Sequence, residues 1–172
     1  MRDEISFRPL KRSDFPLLQR WLSEPHVEAW WHQPLDLPGV EDKYAPRVHG
    51  TEPTYVFVMD YGGRPIGFIQ WYRWSDYPEH AAQLGAEPEG AGIDLAIGEA
   101  DLIGSGLGPE AIRQFLKQVV FSDQSIRVVV TDVEEKNSRS LRAFEKAGFS
   151  ATRAVQLKGE GFRRQVMRLH RT

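Results

Sequence analysis

Gly92-Ile93-Asp94-Leu95-Ala96-Ile97, followed by Ile103-Gly104-Ser105-Gly106-Leu107-Gly108-Pro109, is the stretch whose reading decides the fold. The first run reads as a short strand, the second as a glycine-rich turn that opens a helix. Glycines at alternate positions bring backbone N–H groups to a helix N-terminus with no Cβ in the way, which suits a pyrophosphate. Pro109, with no N–H of its own, fits the first helical position. From there Ala111, Ile112, Phe115, Leu116, Val119 and Val120 recur at i, i+1, i+4, i+5, i+8 and i+9, one face of a helix. The turn is not a dinucleotide fingerprint, because its third glycine comes one residue early for G-x-G-x-x-G and it lies mid-chain. No Gly-Lys-Ser/Thr follows, so a P-loop fails. Ile103 stands where a nucleophile elbow needs glycine. Taken alone, the pattern also reads as a plain tight turn.

Working outward, Ile126 to Val133 reads as a buried strand, Asn137-Ser138 start a helix that Gly148 stops, and two strands, about 150–157 and 162–170, follow. On the other side, Ile5 to Leu10 is a strand. Ser13-Asp14 then cap a helix with Phe15, Leu17, Leu18, Trp21 and Leu22 on its apolar face, and another helix is expected near Val40 to Val48. Thr54 to Met59 and Pro65 to Trp74 flank a hairpin turn at Asp60-Tyr61-Gly62-Gly63-Arg64. Ser75 to Ala91 has no periodicity and reads as a long loop. The order β-α-α-β-β-β-α-β-α-β-β predicts an α/β (α+β) fold, a mixed central β-sheet flanked by helices.

The chain has 172 residues and 19.7 kDa, which fits a single domain over 1–172. No apolar run approaches the ~20 residues of a membrane span. Met1-Arg2-Asp3-Glu4 leads into a strand without the apolar region of a signal peptide, so a cytoplasmic protein is expected. The absence of cysteine excludes disulfides, thiolate metal sites and an acyl-cysteine intermediate. A net charge of −2 argues against non-specific nucleic-acid binding. Between Trp74 and Ile112 there is no Lys or Arg, while Asp76, Glu79, Glu87, Glu89, Asp94, Glu99, Asp101 and Glu110 are all acidic. Such a stretch either focuses field onto a cationic ligand or is a solvated acidic surface. The five histidines show no metal spacing, so no metal is expected.

Asn137-Ser138-Arg139-Ser140-Leu141-Arg142-Ala143-Phe144-Glu145-Lys146-Ala147-Gly148-Phe149, together with the glycine turn, resembles the acyl-CoA site of the GNAT superfamily of N-acetyltransferases. The element order is also that family's, so the resemblance covers nearly the whole chain. Within it, Trp30-Trp31, Tyr44-Ala45-Pro46, Arg64-Pro65-Ile66-Gly67-Phe68, Gly92-Ile93-Asp94, Leu107-Gly108, Thr131-Asp132 and Glu145-Lys146-Ala147-Gly148-Phe149 look like segments of aminoglycoside 6′-N-acetyltransferases.

The resemblance implies acetyl-CoA as co-substrate, its pyrophosphate on the amides of Gly104, Ser105, Gly106, Leu107 and Gly108. Its pantetheine arm would lie between the strand of Asp94 to Ile97, beside Leu95, Ala96 and Ile97, and the strand of Val128 to Thr131, with Asn137 bonded to the arm and Phe144 packed on it. It implies Asp94 as general base for acetyl transfer to a primary amine, most simply the 6′-amine of an aminoglycoside, and a backbone N–H near Leu95 or Ala96 for the oxyanion. Trp30, Trp31, Asp94, Asp132 and the acidic loop from Asp76 to Glu89 become candidates for holding the acceptor. Two departures stand out. Many members carry tyrosine where this chain has Phe144, which cannot protonate a thiolate, and Ile103 replaces a basic or amide residue before the turn. The alternatives are a family member acting on another amine, such as a siderophore precursor or a polyamine, and a non-enzymatic acyl-CoA sensor. Siderophore enzymes tend to carry histidine where Asp94 stands. The partner expected is a small-molecule amine, with no nucleic acid or membrane, and a monomer or homodimer.

Overall fold

A computed structural model describes residues 4–33 and 36–172 of the chain. Met1 to Asp3, on which part of the cytoplasmic expectation rests, and Pro34-Leu35 of the proline-rich stretch lie outside the described residues. Seven strands, β1 (Ile5–Pro9), β2 (Thr54–Tyr61), β3 (Arg64–Arg73), β4 (Ala91–Ile97), β5 (Val128–Glu134), β6 (Ser150–Val155) and β7 (Arg164–His170), form one sheet in the order β1-β2-β3-β4-β5-β7-β6. β1 pairs antiparallel with β2, and β7 antiparallel with both β5 and β6, whereas β4 and β5 run parallel with Ala91 opposite Val129. The sheet is therefore mixed, as the order of elements predicts.

The helices are α1 (Phe15–Ser23), α2 (Pro25–Trp31), α3 (Leu37–His49), α4 (Pro78–Leu84), α5 (Leu107–Gln118) and α6 (Ser138–Lys146). Two of these correct the sequence reading. α2 was not expected, and α4 occupies the segment read as a loop. Both have seven residues and open on a proline, Pro25 and Pro78. Two turns are too short for a 3.6-residue period to register, and a proline at the first position, which helices favour, reads as loop in a linear scan. Among the described residues no helix is long and apolar enough to cross a membrane.

The chain divides into two compact units, the first made of residues up to Gln70 together with Asp94–Leu107, the second of Trp71–Ile93 and Gly108–Thr172. In the first, Phe15, Leu18, Trp21 and Leu22 of α1 bury the face expected of them. They share one cluster with Val40 and Tyr44 of α3 and with Val58 and Phe68 of the sheet. Burying each such side chain contributes about 1.5–3 kcal/mol. In the second, Tyr72, Trp74, Ala81, Leu84, Val128, Val130 and Val166 form a cluster, and Trp74 Nε1 donates to the Val130 carbonyl at 3.1 Å. The α5 face of Ala111, Ile112, Phe115 and Leu116 is buried as its spacing requires. α6 ends in a Schellman motif, the N–H of Gly148 bonding Glu145 O and that of Phe149 bonding Phe144 O.

Two features of the first unit hold the outer half of β4 in place. A Cβ on Gly67 of β3 would lie 2.1 Å from the Ala96 carbonyl oxygen and 3.0 Å from Ile97 Cα, so only glycine admits this approach of two backbones. Just past β4, the buried Glu99 accepts from Trp21 Nε1 at 3.2 Å and pairs with Arg20 and, at 3.5 Å, Arg64. The hydrogen bond from Arg20 holds the Glu99 carboxyl below its ordinary value against the opposing effect of burial, with Trp21 adding to it.

Gly67→Ala is expected to destabilise the protein by about 3 kcal/mol, read as a lower midpoint in urea, because the clash is with backbone. A depressed carboxylate stabilises the folded state above its unfolded value, and that contribution is lost as pH falls through the folded one. Glu99→Gln is therefore expected to lower Tm at neutral pH, and its gap from the wild type should narrow as pH falls below the ordinary value of 4.5.

Candidate active site

Asp94 sits half-buried on β4, and its Oδ2 accepts from Gln70 Nε2 at 3.0 Å. Gln70 belongs to β3, where every residue from Ile66 to Tyr72 is buried. Its Oε1 accepts from Arg47 Nη1 at 2.9 Å, and Arg47 Nη2 donates to Glu52 Oε1 at 3.1 Å. A polar string, Glu52 to Arg47 to Gln70 to Asp94, thus runs inside the first unit. Local structure explains how it is assembled. α3 carries Tyr44 and Arg47 three residues apart on one face, and the guanidinium stands over the Tyr44 ring at 5.3 Å. The helix ends where the Pro46 carbonyl collects the N–H groups of Thr51 and Glu52 and the Thr51 hydroxyl, a turn that brings Glu52 back beside Arg47. Tyr44 donates to Gln33 Oε1 at 2.6 Å, and burial pushes its phenol well above the ordinary range, so it stays a neutral donor.

Of the remaining site residues in this unit, Leu95, Ala96 and Ile97 follow Asp94 along β4 and are half-buried. The Ile97 carbonyl accepts from the His26 ring at 2.8 Å, which joins α2 to the end of β4. Trp31 packs edge-on against Phe68 with ring centroids 4.7 Å apart and joins the core cluster, so one of its faces serves packing; Trp30 is half-buried. In the turn before α5, Gly104 and Gly106 have φ of 77° and 85°, and an added Cβ at either would meet nothing within 4 Å. The turn demands glycine by conformation and lies open. Ser105 is exposed, its N–H and its hydroxyl both donating to the Leu102 carbonyl. Its amide is therefore engaged, unlike the expectation for the five-residue run. The N–H groups of Gly106, Leu107 and Gly108 open the helix and have no acceptor within it. Pro109 falls inside the first turn and not at its first residue, since α5 begins at Leu107.

The second unit begins again at Gly108 and holds three further site residues. Asn137 caps α6, its Oδ1 accepting from the Ser140 N–H at 3.3 Å, which leaves the amide NH2 as the group able to donate elsewhere. Phe144 is 3% exposed and packs edge-on against Phe149 at 5.1 Å. Asp132 of β5 has a buried side chain and already has partners, the Arg164 guanidinium with Nη1 at 3.5 Å and the His80 ring with Nε2 at 3.4 Å. Arg164 in turn is bound by both oxygens of Glu160.

Half of the acids in the stretch are paired with arginine. Glu87 pairs with Arg168, Glu99 with Arg20, Asp101 with both terminal nitrogens of Arg64, and Glu110 with Arg113. Every one of these bases comes from outside the stretch, so folding offsets half of the charge deficit seen along the sequence. Asp76, Glu79 and Glu89 lie on the surface. Among the described residues no group of three or more His, Asp or Glu side chains is placed to hold a metal ion. Sequence reasoning missed Arg47, Glu52, Gln70 and Tyr44 as members of the site. One signal for them existed: Gln70 is the polar residue inside the apolar run from Ile66 to Tyr72, and a buried polar group needs a partner.

A family model described as an acetyltransferase (GNAT) domain matches residues 11–157. The chain belongs to this family. Aminoglycoside N(6′)-acetyltransferase type 1 of Klebsiella pneumoniae is 29% identical over 150 residues, covering 86% of this chain and 74% of the relative. The structure of AAC(6′)-Ib in complex with paromomycin and acetyl-CoA is similar with a TM-score of 0.83 and 27% identity, over 98% of this chain and 94% of that one. The same enzyme in complex with coenzyme A and kanamycin gives a TM-score of 0.82 at 27% identity, over 98% and 95%.

Proposed function

We propose that residues 1–172 act as one acetyl-CoA-dependent N-acetyltransferase domain that passes the acetyl group directly to a primary amine of a cationic small molecule, the 6′-amine of an aminoglycoside. The observation that carries this reading is Asp94, held on β4 by Gln70 in a chain of the GNAT family. The enzymes it resembles have been seen with acetyl-CoA or coenzyme A and with aminoglycosides.

An aliphatic amine is largely protonated at neutral pH, so a base must take a proton before nitrogen can attack. Asp94 accepts that proton on its carboxylate while Gln70 fixes the orientation of the group. The nitrogen lone pair forms the new C–N bond at the thioester carbonyl, the nitrogen gives up its second proton to water, the C–S bond breaks, and its electron pair leaves on sulfur. Backbone N–H groups at Leu95 and Ala96 stabilise the oxyanion between these steps. The amides of Gly104, Gly106, Leu107 and Gly108 bind the pyrophosphate, where the α5 dipole favours negative charge. The Asn137 NH2 bonds the pantetheine arm, Ile97 flanks it, and Phe144 supplies apolar packing. Phe144 has no proton to give, so either another group or water protonates the thiolate or it leaves unprotonated. Trp30 and Trp31 offer faces for sugar rings. Asp132 holds an ammonium by exchanging its contact with Arg164. The enzyme works in the cytoplasm as a monomer or homodimer, without nucleic-acid or membrane partners.

Thiol release from acetyl-CoA tests this across kanamycin-like aminoglycosides, simple polyamines and N-hydroxylysine. Rapid release confined to 6′-amino aminoglycosides is expected, and release with N-hydroxylysine alone would overturn the assignment. Asp94→Asn should lower kcat by at least ~100-fold with the Kd for acetyl-CoA unchanged. Phe144→Tyr should change kcat far less than the ~100-fold of a working general acid, and a gain of that size would show that thiolate protonation limits the wild type.

A further inference from the structure

We propose that Arg47 is a positioning residue for acetyl transfer, fixing the Gln70 amide so that its NH2 group meets Asp94 and keeping that carboxylate ionised to receive the proton of the amine. The inference rests on Asp94 being the base. Geometry carries it. A guanidinium has donors and no acceptor, so the Gln70 atom 2.9 Å from Arg47 Nη1 must be the carbonyl oxygen. The other end of the amide, 3.0 Å from Asp94 Oδ2, is then the NH2 group. Without Arg47 the amide can turn over when Asp94 takes up a proton, its oxygen then accepting from the carboxyl O–H and favouring the protonated form; with Oε1 held by Arg47, only the ionised carboxylate finds a donor.

Arg47 also places a charge one amide away from Asp94, and its side chain is only 12% exposed, so water screens that charge poorly. Its Nε–H is buried and has no hydrogen-bond partner among the described residues. A buried donor left unpaired carries a cost, so solvation of the guanidinium does not explain why it sits here. The charged and titratable groups around it are Glu52, bonded to Nη2, Lys43 and Tyr44 of α3, and Asp94 beyond Gln70. Glu52 opposes the effect of Arg47 on Asp94. Removing one or the other should therefore move the ionisation of Asp94 in opposite directions, which a purely structural role would not do.

The test is the pH profile of kcat, by thiol release with kanamycin as acceptor, for the wild type and for Asp94→Asn, Arg47→Met, Arg47→Lys and Glu52→Gln. Arg47→Met should lower kcat by about tenfold and move the acid limb up by about one pH unit. Glu52→Gln should move it down. Arg47→Lys, which keeps the charge and loses the fork, should lower kcat with the limb near its wild-type position. If Asp94→Asn keeps the wild-type limb, the base lies elsewhere and the role of Arg47 falls with it. If Asp94→Asn removes the limb while Arg47→Met and Glu52→Gln leave it unmoved, Asp94 stands as base and the proposal for Arg47 is overturned. Should Arg47→Met fail to fold, Glu52→Gln decides by the direction of its shift alone.

Discussion

The buried guanidinium of Arg47 is the constraint around which the first unit is arranged. A charge withdrawn from water costs several kcal/mol unless it is paired and hydrogen-bonded, and removing one partner of such a group is far worse than never burying it. Its neighbours answer that demand from three directions: Glu52 from the turn after α3, Gln70 from β3 and the face of Tyr44 from the preceding helical turn. Each is held by something else in turn, Glu52 by the Pro46 carbonyl, Gln70 by Asp94 and Tyr44 by Gln33. The string that makes a buried charge tolerable is thus also the one that ends on the carboxylate of β4.

β4 itself is held by contacts of two different kinds. At its outer half the approach of Gly67 to the Ala96 carbonyl and the bond from His26 to the Ile97 carbonyl set the backbone, while Glu99, gripped by Trp21 and Arg20, anchors the chain just beyond. These contacts bear on the transfer reaction proposed for this strand. A general base and a backbone oxyanion donor on one strand keep their mutual geometry only if the strand does not move.

Charge shows how folding alters a linear reading. Eight acids without an intervening base look like a field for a polycation, yet arginines distant in sequence close three of them and Arg113, one helical turn on, a fourth. Asp132 follows the same logic, because Arg164 and His80 already occupy its surroundings. An acceptor ammonium at Asp132 would replace a contact and not fill an empty one. That makes selectivity at this residue depend on how well the incoming amine competes with an arginine.

Sequence alone was enough for the mixed sheet, the apolar faces of α1 and α5, the glycine turn and the position of Asp94, since each rests on local periodicity or on residues adjacent in the chain. It missed α2 and α4, which are too short to show a period and begin with residues that signal loops. Tertiary structure alone decided that Arg47, Gln70 and Asp94 join in one hydrogen-bonded string and that Glu87, Glu99 and Asp101 of the acidic stretch are paired. Those outcomes depend on pairing between segments far apart in sequence, and the energy that fixes them, the cost of burying charge and polar groups without partners, exists only once the chain has closed around them.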